Sequence, residues 1–327
     1  MKKRLLVILL SLLMVFSLFA CSSKKDDDSK DAKSSSEDSD KDDADEEDED
    51  KKDKDKEDED KKDEDKKDDE KKDDNKDTSS GEVTIEEQVL LDQDGIKITA
   101  VGLAPDEIFD AQSIELDLEN NSDQNVTVQL SNVSVNGYMI MPLFSADLAA
   151  GKKTKETIEF YNYELADCGI EKIAQVELQF NILNSESYET IFDSEMISIA
   201  TSAKDYEQSY DASGEVLYDD KDIKVVAKTL DTSDDIFGPE LLLYVENNSD
   251  VIISVSTDNV SVNGYMNDAL YYATVLPGKK SVDGMTFYDL ESNGIEEITD
   301  VEFNISIMDA DTYDTIAESD AIALTFE

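Results

Sequence analysis

Loops crowded with aspartate are the parts of this chain whose residue types could bind a ligand directly. Three stand out in the sequence: Asp92 to Gly95, Asp231 to Asp235, and Asp309 to Asp314. Calcium prefers such carboxylate oxygens as ligands. None of the three completes the twelve-residue loop with a terminal glutamate that defines an EF-hand site. We therefore interpret them as solvated acidic loops, with calcium binding as the alternative.

Histidine is absent from the sequence, and this removes most of the catalytic arrangements that a globular protein uses. Ser-His-Asp and Cys-His nucleophiles, an imidazole base and histidine-ligated zinc all require it. Cys168 lacks such a base, and Asn293 stands at its equivalent in the repeat described next, so we interpret it as a bystander loop cysteine. Paired carboxylates for glycoside hydrolysis remain an alternative. We nevertheless predict a protein that is not an enzyme, with no catalytic residue, no metal site and no cofactor.

Two copies of one heptapeptide, Val-Ser-Val-Asn-Gly-Tyr-Met, give the sequence its organisation. They occupy residues 133–139 and 260–266, an offset of 127. The same offset relates Glu-Asn-Asn-Ser-Asp at 119–123 to 246–250, and Gly-Lys-Lys at 151–153 to 278–280. Beyond the Phe-Tyr pairs at 160–161 and 287–288 the offset falls to 125, as Gly-Ile-Glu at 169–171 and 294–296 shows. Colinear matches over about 115 residues indicate two copies of one domain.

Within each copy, apolar residues recur at every second position, which is the period of a half-buried strand. Examples from the first copy are Ile114, Leu116 and Leu118, and then Val176, Leu178 and Phe180. The Asn-Gly pair inside each heptapeptide is the strongest local signal for a two-residue hairpin turn. The pattern predicts seven to nine short strands per copy, arranged as a β-sandwich. We predict one helical turn at 169–174, repeated at 294–299. We also predict a packing role for Tyr138 and Tyr265, with an interface role as the alternative.

The first twenty residues have the layout of an export signal. Met1 to Arg4 is basic, and Leu5 to Phe19 is apolar but too short for a confident bilayer span, which needs about 20 residues. The sequence Leu18-Phe19-Ala20-Cys21 resembles the lipobox of bacterial lipoproteins. That resemblance implies cleavage before Cys21 and attachment of diacylglycerol and fatty acyl chains such as palmitate to it. Two or more acyl chains hold a protein stably on a membrane.

Residues 22–80 are almost entirely Lys, Asp, Glu and Ser, with 16 lysines against 30 acids. Such a segment has no apolar surface to offset the entropy lost on ordering, so we predict that it is disordered. Its place after the anchor favours a tether that carries the repeats away from the membrane, with a solubilising tail as the alternative. The predicted organisation is a signal peptide at 1–20, the lipidated Cys21 with its tether at 21–80, a domain at 81–203, a connector at 204–213 and a second domain at 214–327.

The net charge of −51 limits the partners that the chain could bind. Residues 81–327 contain 11 lysines and no arginine. Such a surface repels nucleic acid and lacks the guanidinium fork that reads phosphate. We expect no nucleic-acid binding, membrane contact through Cys21, and a cationic or protein partner at the cell surface.

The order of the shared motifs, ending in Leu276-Pro277-Gly278-Lys279-Lys280 and Gly294-Ile295-Glu296, resembles the uncharacterised immunoglobulin-like domains of Gram-positive lipoproteins. These domains are similar in outline to the fold of a secreted mycobacterial immunoprotective antigen. The resemblance implies an all-β fold with two tandem immunoglobulin-like sandwiches and no catalytic residues. The leading hypothesis is a lipid-anchored binding, adhesion or accessory envelope protein on the extracellular face of the cell membrane. A calcium-dependent envelope protein and a cell-wall hydrolase are the alternatives.

Overall fold

The computed structural model describes residues 82–232 and 238–326, which all belong to one compact unit. The predicted signal peptide, Cys21 and the tether therefore lie outside the described residues, as does most of the acidic loop at 231–235. Below, the first repeat means residues 82–203 and the second repeat means residues 214–326. Within the described ranges, no helix is long and apolar enough to cross a bilayer.

Strands dominate both repeats. Those of the first repeat are β1 (Gln88–Gln93), β2 (Ile96–Asp106), β3 (Ala111–Asn120), β4 (Val126–Val135), β5 (Tyr138–Met139), β6 (Ser145–Leu148), β7 (Lys153–Tyr161), β8 (Gln175–Asn184), β9 (Thr190–Asp193) and β10 (Ile197–Ala200). Those of the second repeat are β11 (Glu215–Asp220), β12 (Ile223–Asp231), β13 (Glu240–Asn247), β14 (Ile253–Val262), β15 (Tyr265–Met266), β16 (Tyr272–Val275), β17 (Lys280–Thr286), β18 (Asp300–Asp309), β19 (Thr315–Glu318) and β20 (Ile322–Thr325). The all-β prediction is thus confirmed, with more strands per repeat than the pattern indicated.

The first repeat is built from two antiparallel layers. One layer has the order β1-β2-β3-β7, and in the other β4 pairs with β6 and β8, while β8 also pairs with β9 and β10. The chain crosses between layers from β3 to β4, from β6 to β7 and again from β7 to β8. Strands β2, β3 and β7 thus follow the A-B-E order of an immunoglobulin sandwich, and β6, β4, β8 and β10 follow its C′-C-F-G order. The second repeat reproduces both layers as β11-β12-β13-β17 and as β14, β16, β18, β19 and β20.

The alternating apolar residues face inwards, as their period predicts. Ile114, Leu118, Val176 and Phe180 are each fully buried in the first repeat. The second repeat has a core of its own, built from residues such as Val225, Leu243, Val255, Val301 and Phe303. Burying one such side chain contributes about 1.5–3 kcal/mol before entropy is counted. Because each repeat encloses a complete core, each has the content of a separately folding domain.

The Asn-Gly turns have the geometry that the sequence predicts. Asn136 and Gly137 adopt φ values of 49° and 85°, and Asn263 and Gly264 adopt 50° and 77°. Positive φ at both central residues is the mark of the type I′ hairpin turn. Each turn joins a long strand to a two-residue strand, β4 to β5 and β14 to β15.

The predicted helical turn at 169–174 is wrong in position. The helix α1 instead spans Asn162–Asp167 and ends at Cys168, and its equivalent is a 3₁₀ turn at Glu291–Asn293. Gly169 and Gly294 follow these turns with φ values of 63° and 69°. A glycine in the left-handed conformation after the last turn ends a helix. The Gly-Ile-Glu motif therefore marks the end of the helical turn and not its start.

One sheet runs through both repeats. Its order is β10-β8-β4-β5-β17-β13-β12-β11, and the join is a short parallel pairing of β5 with β17. The Lys280 backbone N–H donates to the Gly137 carbonyl oxygen over 3.0 Å. Since β5 is the strand that follows the Asn136-Gly137 turn, the first copy of the heptapeptide forms part of the contact between the repeats.

Candidate functional site

The β4–β5 hairpin and the β17 edge form the centre of the repeat junction. Tyr138 on β5 is only 2% exposed and belongs to a buried cluster that includes Val226, Tyr244 and Val282 of the second repeat. Met139, the next residue, packs against the core of the second repeat. The two side chains thus point to opposite faces of the strand and link the two cores.

A tyrosine from the segment between the repeats closes this junction. The Tyr210 hydroxyl donates to the Asn136 carbonyl oxygen over 2.9 Å, and its ring centroid lies 5.4 Å from that of Tyr138. The Lys280 ammonium lies 4.1 Å from the Tyr210 ring centroid, within the range of a cation–π contact. The Asp211 carboxylate pairs with Lys228 over 3.1 Å. The segment at 204–213 therefore contacts the junction through Tyr210 and Asp211, although most of its residues are exposed.

An ion pair crosses the junction beside the tyrosines. The Lys279 ammonium contacts the Glu177 carboxylate, and their side chains are 19% and 24% exposed. The Ser134 hydroxyl donates to the same carboxylate oxygen over 3.2 Å. A partly buried pair with a further hydrogen bond is strongly oriented, so the pair fixes the register of β17 against the first repeat.

A cleft lined by carboxylates lies next to this ion pair. It encloses about 180 Å³ between α1 and the segment after β5 on one side and the β13–β17 hydrogen-bonded pair on the other. Glu164 and Asp167 of α1 and Asp283 of β17 line it. The Glu164 Oε2 atom is buried and accepts no hydrogen bond from the described residues. Acidic side chains from the two repeats thus meet without a lysine among the residues that line the cleft.

The cleft raises the pKa of its acids. Burial, followed by the charges of Asp283 and Asp167, raises the pKa of Glu164 to about 7. Asp283 is exposed beside the cleft, and desolvation by the surrounding protein, followed by the charge of Asp167, raises its pKa to about 6. Desolvation and a neighbouring carboxylate both disfavour the charged form. The junction therefore holds protons at a pH where exposed acids have lost them.

Cys168 lies at the same place and is only 3% exposed. Burial first, and then the charges of Asp283 and Asp167, raises the pKa of its thiol. A thiol that resists ionisation is a poor nucleophile. The predicted bystander cysteine is thus buried in the turn that follows α1.

The acidic loops are organised by backbone hydrogen bonds. Asp94 and Gly95 are the positive-φ residues of the hairpin between β1 and β2. The Asp309 carboxylate accepts the backbone N–H groups of Asp311 and Thr312, both at 2.9 Å, and these bonds lower its pKa. Among the described residues, no group of three or more acids or cysteines is placed to hold a metal ion.

The second repeat presents the same hairpin surface without a cover. Tyr265 and Met266, the equivalents of Tyr138 and Met139, are 53% and 69% exposed. Their strand β15 lies at the end of its sheet, while β5 is paired on both sides. The packing role predicted for both tyrosines is therefore right for Tyr138 and wrong for Tyr265. The heptapeptides themselves carry no signal for this difference, because the two copies are identical.

Further apolar side chains extend this surface. Leu270 and Tyr272, which lie before and at the start of β16, are 63% and 55% exposed. Since β15 and β16 pair with the same side of β14, these residues lie along one sheet edge. Exposed apolar side chains grouped at an edge mark interaction sites more often than scattered ones do.

Comparisons with known proteins find only remote similarity in structure. No protein-family model and no curated protein matches this sequence. Among solved structures, the Salmonella enterica SafA pilin in complex with the SafB chaperone is 13% identical, and the match covers 65% of this chain and 89% of that one with a TM-score of 0.19. A red sea bream transglutaminase is 12% identical, with coverages of 73% and 31% and a TM-score of 0.19. At these TM-scores neither similarity informs the fold, and the all-β assignment rests on the strands and layers of the described residues.

Proposed function

We propose that the protein is a non-enzymatic binding module of the bacterial envelope, displayed on the outer face of the cell membrane. In this proposal residues 1–20 are the export signal, Cys21 carries the lipid, and residues up to 80 are the tether. The two immunoglobulin-like repeats then form the binding part, and the partner is another protein at the cell surface.

The observation that carries this proposal is the exposed hairpin surface around Tyr265 and Met266. In the first repeat Gly137, Tyr138 and Met139 of this heptapeptide contact the second repeat, so the surface is already used for protein recognition once within the chain. In the second repeat it is preformed and uncovered. Tyrosine and methionine are both enriched where proteins contact one another.

Two features support a role without catalysis. The sequence contains no histidine, and the thiol of Cys168 is buried with a raised pKa. The acids with raised pKa values line a cleft between the repeats, where they also act on the stability of the junction. A binding role needs none of these groups to be reactive.

The membrane anchor is tested by replacing the acylated residue. We expect full-length protein to fractionate with membranes, and Cys21→Ser to lose that attachment. Retention of the variant in membranes at the level of the natural protein would contradict the lipid anchor.

Binding is tested with a labelled fragment of residues 80–327, which contains both cores. We expect it to bind bacterial cells that lack the protein, and Tyr265→Ser with Met266→Ser to reduce binding at least about tenfold, the effect of about 1.4 kcal/mol. Tyr313→Ser is the matched control, because Tyr313 is 78% exposed and lies on a different turn. Equal binding by all three fragments would overturn the proposed surface.

A further inference from the structure

The two repeats carry the same docking face, and only one of the two is occupied. We define the docking face of the second repeat as Tyr265, Met266, Glu302 and the Gly264 carbonyl. Its counterpart in the first repeat is Tyr138, Met139, Glu177 and the Gly137 carbonyl. In the first repeat the second repeat engages every member, through the buried cluster, the Lys279 ion pair and the Lys280 N–H.

The geometry of the two faces is the same. Ser134 pairs with Glu177 in the β4–β8 ladder, and Ser261 pairs with Glu302 in the β14–β18 ladder. Both ladders carry an irregularity just before these pairs, where Asn132 and Asn259 each have a φ of 53°. The second repeat therefore has the same strand irregularity and the same Asn-Gly turn, which together orient the docking face. Glu302, Tyr265 and Met266 are all exposed there.

We propose that the docking face of the second repeat binds a separate β-sandwich domain whose edge strand begins with paired lysines beside aliphatic and aromatic side chains, as β17 does. This inference rests on the proposed function and names the class of its partner. A lysine would pair with Glu302, a backbone N–H would reach the Gly264 carbonyl, and an apolar sheet face would cover Tyr265. Strand addition at a sheet edge supplies such backbone contacts in many complexes.

The charge of the chain favours a cationic partner edge. Residues 81–327 carry 51 acids against 11 lysines, so an acidic partner would meet repulsion at long range. Two adjacent lysines on the partner's edge strand would replace this repulsion with attraction at the docking face. The same electrostatic attraction is present within the chain, where Lys279 and Lys280 approach the acidic first repeat.

A second copy of this chain fits the docking face less well. Its first repeat keeps the paired lysines as Lys152 and Lys153, but the apolar positions behind them have changed. Thr99, Asp117 and Lys155 stand where the second repeat has Val226, Tyr244 and Val282. Asp117 and Lys155 pair with each other over 2.5 Å across the β3–β7 ladder. This edge offers charge to the docking face but no apolar cover.

The test uses the second repeat itself as the probe, because it carries the proposed edge and encloses its own core. A fragment of residues 204–327 lacks the first repeat, so its β17 edge is uncovered. Tyr265→Ser with Met266→Ser removes the docking face of that fragment and leaves only its edge. We expect this edge-only probe to bind the two-repeat fragment of residues 80–327 in sedimentation velocity. The same double substitution in the two-repeat fragment should weaken binding at least tenfold, and Tyr313→Ser should not. Absence of binding by a folded probe, or binding that survives the double substitution, would overturn the proposal.

A second variant keeps the test decisive if the probe fails to fold. Thr99→Val, Asp117→Tyr and Lys155→Val in the two-repeat fragment install the apolar positions of the edge on the first repeat. We expect this variant to associate end to end as its concentration rises, and to remain monomeric when Tyr265→Ser and Met266→Ser are added.

A variant that stays monomeric at all concentrations overturns the proposal. So does self-association of the unmodified fragment, since the partner would then be a second copy. If the unmodified fragment still binds cells through Tyr265, the proposed function survives either result.

Discussion

Lys279 and Glu177 lie 102 residues apart in the chain and form an ion pair across the repeat junction. Their counterparts, Lys152 and Glu302, are both exposed. The duplicated positions thus form an ion pair across the junction in one case and are both exposed in the other. This difference supplies matched controls for most of the experiments below.

The junction ion pair should couple the stability of the repeats. We expect Lys279→Ala to lower the free energy of unfolding by about 1–3 kcal/mol, because Glu177 then stays partly buried without its cation. Lys152→Ala should change it by less than about 0.5 kcal/mol. Calorimetry should show one transition in the natural fragment and two separated transitions in Lys279→Ala. An unchanged single transition would contradict the coupling.

The buried Asn247 should be one of the most sensitive polar residues of the second repeat. Its amide donates to the carbonyls of Val251 and Val275 over 2.9 and 2.8 Å, and its oxygen accepts from Ser249. We expect Asn247→Ala to cost about 2–3 kcal/mol, because one buried and one partly buried carbonyl lose a donor. Asn248→Ala, at an exposed neighbour, should cost less than about 0.5 kcal/mol. Similar denaturant midpoints for the two variants would refute this role.

The carboxylate cleft should make stability fall as pH rises. Glu164 is raised to a pKa of about 7 in the folded state, against 4.5 for the ordinary side chain. Between these values the folded state binds more protons than the unfolded state, so stability falls as pH increases through this range. We expect Glu164→Gln to match the natural fragment at pH 4.5 and to exceed it at pH 8 by roughly 1–3 kcal/mol.

The control for this pH dependence is Glu171→Gln, an exposed acid near the same end of the repeat. It removes the same formal charge without touching the cleft. If both variants gain stability equally at pH 8, the effect comes from net charge and not from the cleft.

Cys168 should report opening of the junction. It is the only cysteine of the fragment 80–327, and its thiol is buried with a raised pKa. We expect slow reaction with a thiol reagent at pH 7.5 under native conditions and fast reaction in denaturant. Lys279→Ala should react faster than the natural fragment. Rapid labelling of the folded natural fragment would contradict the burial of this residue.

Calcium should have no specific effect on the described loops. The Asp309 carboxylate is engaged by backbone N–H groups, and Asp94 forms a hairpin turn. We expect equal melting temperatures in calcium and magnesium at equal ionic strength. A site saturated about 100-fold over its Kd would add roughly 2.7 kcal/mol, so a calcium-specific rise of several degrees would restore the calcium alternative.

Strand periodicity and turn chemistry were enough to predict the layers of the fold. Residues such as Ile114 and Val176 alternate with polar neighbours, and an Asn-Gly turn demands positive φ at two successive positions. The predicted helical turn at 169–174 begins too late in the chain, because it includes Gly169. The glycine instead ends the helix, and the six residues before it have no strong periodic pattern.

The site was much harder to predict than the fold. Nothing in the local sequence distinguishes Tyr138 from Tyr265, because burial of the first depends on a strand that lies more than a hundred residues further along the chain. The acidic cleft likewise depends on the approach of α1 to β17. The signal that could have revealed the junction is the loss of polarity at one copy only: Val226, Tyr244 and Val282 replace Thr99, Asp117 and Lys155.

These replacements also give the tandem array a direction. In arrays of stacked repeats, a terminal unit with a polar outer face acts as a cap and stops further stacking. The Asp117–Lys155 pair gives the first repeat such a polar outer face, while the second repeat ends in an uncapped hairpin. Growth of the array by further duplication would therefore be tolerated on the side of the second repeat and blocked on the side of the first.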